Sequence, residues 1–230
     1  AGISALDLFE AISAEALRHG LGGFNPQNLS NTAWAFATAG ISALDLFEAI
    51  SAEALRRGLG GFNPQDLSNT AWAFAVTNPS SANKLFGTMS FTTRCAQLQA
   101  SFSRSNLCQL HQWSLMREEH GSRWPGLPDS LRQACRDAFV EEEGRPSKLQ
   151  SVVAKEIRSQ CGVARVDEEH RCERSGYSID ALVTLNDGKQ VAVEVDGPSH
   201  FVGRSHQPTG ATMLKHRQLR HFGWRLKSVP

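Results

Sequence analysis

Asp180, Glu194 and Asp196 are the side chains whose types and spacing could do chemistry. Glu194 and Asp196 lie two apart in an extended run, so they share a face, because strand side chains alternate with a period of two. A third acid from a neighbouring strand completes a donor set that a hard divalent cation such as Mg2+ favours. Burying like charges without compensation is costly, since they repel and lose hydration. The acids therefore need a metal, a basic partner or solvent.

The stretch that must position them, Tyr177 to Phe201, reads as two strands around a tight turn. Ile179, Ala181, Val183 and Leu185 alternate with Asp180, Leu182 and Thr184; Val191, Val193 and Val195 alternate with Ala192, Glu194 and Asp196. Asn186-Asp187-Gly188 between them is turn chemistry, with glycine free to take positive φ. An antiparallel pair would bring Asp180 beside the other two acids. Around the hairpin the pattern is helix from Ser147, strand over 163–172, hairpin, Gly/Ser/Pro loop, basic helix over 211–222 and a short strand, which is an α/β order. Asp196-Gly197-Pro198 also fits a plain strand-end turn, and His200 fits a structural histidine as well as a functional one.

Charge is distributed unevenly. The 230 residues sum to +1. The last 34, Gly197–Pro230, contain no acid and carry Arg204, Lys215, Arg217, Arg220, Arg225 and Lys227. Such a block suits a polyanion, with nucleic acid first among them, and equally suits a solvated helix face. Five scattered cysteines without a C-x-x-C spacing argue for reduced structural thiols. No apolar run reaches 18 residues, so no membrane span is expected.

The chain begins with a tandem duplication. Ala1–Thr38 and Ala39–Val76 match at 35 of 38 positions, differing at His19/Arg57, Asn28/Asp66 and Thr38/Val76. Each copy reads as two helices. Ser4 is placed to cap the first, the GLGG run stops it, and Asn25 caps the second with Pro26 at its first position. One such pair cannot bury its apolar stripe alone, so an α-solenoid is predicted, cut short at its left end. Residues 77–145 read as a worn further repeat or linker, and 146–230 as a separate unit.

The repeats resemble the octotricopeptide class of organellar RNA-binding proteins, on the FNPQ(N/D)LSNTAWAFA segments Phe24–Ala37 and Phe62–Ala75. The resemblance implies that polar side chains of each repeat meet a base, which would place Gln27, Asn28, Asn31, Gln65, Asp66 and Asn69 on RNA. The same residues also serve as ordinary first-turn caps. The last unit resembles a RAP domain, on YSID at 177–180, VAVEVDGPSHF at 191–201, Thr212, Leu214-Lys215, Arg217, Leu219, Gly223-Trp224 and the closing Val229-Pro230. Members typically continue a few residues further, so truncation on the right is expected too.

That resemblance implies a restriction-endonuclease-like α/β fold, in which an Asp on one strand and a Glu-x-Lys on the next hold metal and position water. Asp180 and Glu194 match the carboxylates, with Asp196 where lysine is expected and Lys215 or Lys155 as substitute cations. The overall expectation is an α + α/β chain, solenoid then RAP domain, binding single-stranded RNA in mitochondrial or plastid rRNA or mRNA processing, stability or translation. Ribosomal or other organellar RNA–protein complexes would be its setting. RNA contacts in the last unit would come from Asp196, His200, Lys215, Arg217, Arg220 and Arg225. No cofactor is required by this reading. A metal-dependent ribonuclease would use Asp180, Glu194 and Lys215 with Mg2+ on Asp180, Glu194 and Asp196. A third possibility is a protein-binding scaffold, which the −4 charge of residues 1–76 favours.

Overall fold

The computed structural model describes residues 5–141, 147–203 and 205–230; Ser4 and Arg204, singled out above, lie outside them. Two compact units result, Ala1–Ala138 and Phe139–Pro230.

The first unit is built from a local signal used three times. Asn25 accepts from the Asn28 backbone N–H at 2.8 Å while its own N–H donates to Asn28 Oδ1 at 3.1 Å, opening α2 (Pro26–Thr38) with Pro26 in the first turn. Asn63 and Asp66 repeat the box at α4 (Pro64–Thr77), and Ser103 and Asn106 repeat it at α7 (Arg104–Glu119). Each box satisfies two N–H groups that a helix start otherwise leaves orphaned. A three-residue 3-10 turn precedes each one, at Leu21–Gly23, Leu59–Gly61 and Gln99–Ser101. Gly20 and Gly58 enter the first two turns at φ +72° and +68°, a region that favours glycine.

The first helices of the duplicated copies are α1 (Ala5–His19) and α3 (Leu44–Arg57). In the third repeat of the first unit, two short helices, α5 (Ala82–Phe86) and α6 (Met89–Gln97), stand where one long helix is found before. Gly87 caps α5 at the break, where glycine does not sustain a helix interior. Helix α4 packs between α2 and α7. Beneath them Phe47, Phe74, Phe86 and Trp113 form a chain of edge-on rings with centroids 5.1, 5.7 and 5.3 Å apart, an arrangement aromatic quadrupoles favour. Helix α8 (Asp129–Val140) follows, burying Leu131 and Cys135. All five cysteines are free, and burial pushes the Cys95 thiol up beyond the normal range and Cys135 up to about 12.

The second unit runs α9 (Lys148–Arg158), β1 (Val163–Arg171), β2 (Ser178–Leu185), β3 (Gln190–Val195), α10 (Gly210–His221) and β4 (Leu226–Val229). Its sheet has the order β1-β2-β3-β4, with the first two pairings antiparallel and β3–β4 parallel. A parallel neighbour needs a crossover, and α10 supplies it. Gly188 turns the β2–β3 hairpin at φ +82°. In register, Ala181 faces Val193 and Leu182 faces Ala192, so one further step sets Asp180 opposite Glu194.

Alternation then divides the sheet. Ala181, Val183, Val193 and Val166 pack with Ala154 and Ile157 of α9 as one apolar layer. Asp180, Glu194 and Asp196 project to the other face, beneath α10. Among the described residues no helix is long and apolar enough to cross a membrane.

Candidate functional site

The three acids of the second unit come together on one face, and protein groups meet each of them. Glu194 is fully buried, and Lys215 of α10 brings its Nζ to 2.5 Å from Glu194 Oε2. Asp196, buried at the end of β3, holds His200 Nδ1 at 3.0 Å and His216 Nε2 at 3.4 Å, and accepts from the Ser228 hydroxyl of β4. Asp180 Oδ2 accepts from the Val195 backbone N–H at 2.7 Å, clamping the edge of β2 to β3. Thr212 Oγ1 donates to the His200 carbonyl at 3.2 Å, tying the 3-10 turn Pro198–His200 to the first turn of α10.

Electrostatics differ sharply across this cluster. Burial pushes the Glu194 carboxyl up to about 7, against the pull of the Lys215 ammonium, and Asp180 adds to the rise. Burial also works to raise Asp196, but bonds from His200, His216 and Ser228 together hold it far below the usual carboxylate range. The bond to Asp196 in turn raises His200. One acid is thus stabilised in its charged form and its neighbour two residues earlier is not, which follows from three partners at one and a single cation at the other.

The donor set does not fit the three-carboxylate metal cage expected from sequence. Glu194 Oε2, both sides of Asp196 and Asp180 Oδ2 already face protein groups, which leaves Glu194 Oε1 as a buried oxygen without a hydrogen-bond partner among the described residues. Mg2+ demands six oxygens in near-octahedral order, and among the described residues no group of three or more His, Cys, Asp or Glu is arranged around a common point for an ion.

The sequence-predicted contacts fall into distinct places. Lys215 and Asp196 turn inward, which corrects the expectation of both as RNA contacts: burial favours pairing them over leaving them as lone charges. His200 sits at the rim, 37% exposed. Arg220 and Arg225 are exposed, and Arg217 is half-buried on α10. Among the described residues neither Arg220 nor Lys227 has an ion-pair partner. Lys155 is exposed on α9, behind the apolar layer, and so is no substitute for the strand lysine. Sequence reasoning missed His216 and Ser228 as partners of Asp196. His216 adjoins Lys215 on the predicted basic helix, and Ser228 precedes the closing Val-Pro, but only the placement of α10 against the acids and the parallel β3–β4 register bring them in.

In the first unit the predicted amides form a row across consecutive repeats. Asn69 Nδ2 donates to Asn31 Oδ1 at 3.3 Å, and Asn69 Oδ1 accepts from Gln65 at 2.7 Å and Gln109 at 3.2 Å. Asn31, Gln65, Asn69 and Gln109 line one open cleft with Trp34. Gln27 is exposed, and Asn28 is exposed while its Oδ1 serves the capping box. Asp66 is another correction: it is 3% exposed, with Oδ2 on the Asn63 N–H and Oδ1 on the Ser30 hydroxyl of the preceding repeat. Its carboxylate joins repeats and does not face outward.

Comparison with known proteins adds a family to this geometry. The family model described as RAP domain matches residues 193–230. A protein from Oryza sativa subsp. japonica, described as "RAP domain-containing protein, chloroplastic", is 25% identical over 130 residues, covering 55% of this chain and 20% of that one. The chain thus spans about a fifth of the length of this relative. The C-terminal stretch is similar to the RAP domain, and the match takes in Glu194, Asp196, His200, Lys215, His216 and Ser228 while leaving Asp180 outside.

Proposed function

We propose that this chain binds single-stranded RNA in organellar RNA metabolism, through bases at the amide row of the first unit and phosphates at the basic surface of the second. The observation that carries this reading is the division of labour around α10. Its inward cation, Lys215, is spent on Glu194, whereas Arg220 on its outer side and Lys227 on β4 remain exposed without ion-pair partners among the described residues. Unpaired exposed cations beside an acid-free segment are what counterion release requires. The exposed amides of the row, Asn31 and Gln65, supply donors and acceptors for unstacked base edges, whereas Asn69 is buried between them; such contacts are how single-stranded RNA is read. The matched RAP domain and the chloroplast-named relative support the organellar setting; rRNA or mRNA maturation, stability or translation in plastid or mitochondrion is part of the proposal.

One observation favours a second reading, a metal-dependent ribonuclease: Lys215 supplies an ammonium beside Glu194 from α10, close to where the resemblance expects a strand lysine. The paired oxygens described above weigh against it.

A single experiment separates the two. A labelled, structure-poor RNA pool is incubated with the chain and with Asp180→Ala/Glu194→Ala, in Mg2+ or EDTA, reading mobility and fragment length together. Retarded, intact RNA with wild-type chain in both buffers supports binding. Mg2+-dependent shortening abolished in the variant overturns it in favour of hydrolysis, and no shift under any condition removes the RNA reading.

A further inference from the structure

The duplicated sequence provides an internal control on what an uncovered surface means. Leu46 and Ile50 of α3 are 0% and 1% exposed, while their 38-residue counterparts Leu8 and Ile12 of α1 are 53% and 44% exposed. Trp72 is 7% exposed and its counterpart Trp34 is 41% exposed. Leu44 and Leu6, on a different side of the helical pair, are 57% and 52% exposed alike. These identical side chains are covered in the second repeat, where the first stacks on it, and uncovered in the first.

The uncovered side of the first repeat is a groove of about 880 Å3 that includes Ile12, Ala16, His19, Gly23, Phe24 and Asn28. Shifted by 38, these are Ile50, Ala54, Arg57, Gly61, Phe62 and Asp66. Those positions meet the first repeat directly: a Cβ on Gly61 would lie 3.6 Å from Pro26, Arg57 Nη2 donates to the Gly22 carbonyl at 2.6 Å, and Asp66 accepts from Ser30 at 3.0 Å. The groove is the 38-residue image of an interface that the chain already makes.

We infer that the α1 face of the first repeat is a docking surface for one further helical pair of the same kind, presenting a Pro-capped second helix with a hydroxyl like that of Ser30. A second copy of this chain is the poorer occupant. Its matching surfaces are already covered, the first repeat's by α4 and the second's by α7.

Two of the three differences between the copies fall on this face, and both change its polar chemistry. His19 turns onto Glu15 at 2.7 Å, where Arg57 spans the interface to a carbonyl. Asn28 spends Oδ1 on its own capping box, so it offers an N–H where Asp66 offers a second acceptor. The surface keeps the apolar complement of the internal interface with altered polar contacts, which sets it up for a partner unit that accepts at position 28.

The test adds one copy of Ala1–Thr38 ahead of Ala1 and follows thermal unfolding and oxidative footprinting of Ile12. The proposal expects one cooperative transition, raised by about 5 °C or more, and a several-fold drop in labelling of Ile12. Ile12→Asp should erase both gains in the extended chain and leave the midpoint of the original chain unchanged, which separates docking from folding. His19→Arg/Asn28→Asp should enlarge the rise. An unchanged midpoint with Ile12 still labelled overturns the proposal. So does concentration-dependent dimerisation of the original chain that protects Ile12, or protection of Ile12 by added RNA, because each assigns the face to a different occupant.

Discussion

The Ser30 hydroxyl donates to Asp66 Oδ1 at 3.0 Å across a boundary between two nearly identical sequence copies. Asp66 thereby serves two structures at once, since its other oxygen closes the capping box on the Asn63 N–H at 3.1 Å. A residue that looks like a base-reading candidate from its position is a buried tie between repeats. Asp66→Ala should therefore lower stability by about 1–3 kcal/mol, combining a lost cap with an unpaired hydroxyl. Denaturant midpoints check this. Asp66→Asn should recover most of the loss, because Asn keeps one acceptor for the cap.

A pH prediction follows from Glu194. Its folded carboxyl is pushed up to about 7 from 4.5, so between those values the folded state holds more protons than the unfolded state. Stability must then fall as pH rises from 4.5 to 7, by up to about 3 kcal/mol. His200 acts in the same direction: raised above 6.5, it contributes fully below that value and loses its contribution as pH rises through its folded pKa. Asp196 sets the acid limit, since its depressed pKa gives stability above 3.8 that is lost as pH drops. Urea unfolding across pH should show the decline, and Glu194→Gln should flatten it between 4.5 and 7.

Salt dependence tests the phosphate surface. Arg220→Ala/Lys227→Ala should weaken RNA binding about three- to tenfold at moderate salt and reduce the slope of log K against log salt by about 0.7 for each cation that contacts phosphate. Filter binding over a salt series reads both. An unaltered slope would place phosphate elsewhere.

Base recognition should depend on the exposed amides. Gln27→Ala and Asn31→Ala should each reduce affinity for the preferred RNA about fivefold, the equivalent of one hydrogen bond near 1 kcal/mol, with little change in the salt slope. Competition between RNA pools would show relaxed discrimination. An equal loss for every sequence would argue that these side chains support the fold alone.

Local signals made much of this architecture legible. Asn25, Pro26 and the glycine stops announce each helical pair, and the valine alternation around Gly188 announces the hairpin and the shared face of Glu194 and Asp196. The sequence of α9, three strands, α10 and β4 was likewise readable from periodicity. What was hidden is long-range. Lys215 read both as a phosphate contact and as a cation for the acids, because charge counts say nothing about which side of a helix meets a sheet, and the two histidines around Asp196 come from different elements. The third capping box at Ser103 and Asn106 was obscured by substitutions that keep cap chemistry while changing almost every other letter.

Because β4 joins the sheet beside β3, Val229 accepts from the Asp196 N–H at 2.8 Å and Ser228 reaches the same residue's carboxylate. A chain emerging residue by residue presents Glu194 and Asp196 well before α10 and β4 exist to neutralise them. During translation this domain must wait with its acids in water, and a ribosome stalled before Ser228 would hold an incomplete sheet. Its folding is therefore tied to the release of its last strand, while the helical pairs ahead of it can stack as they appear.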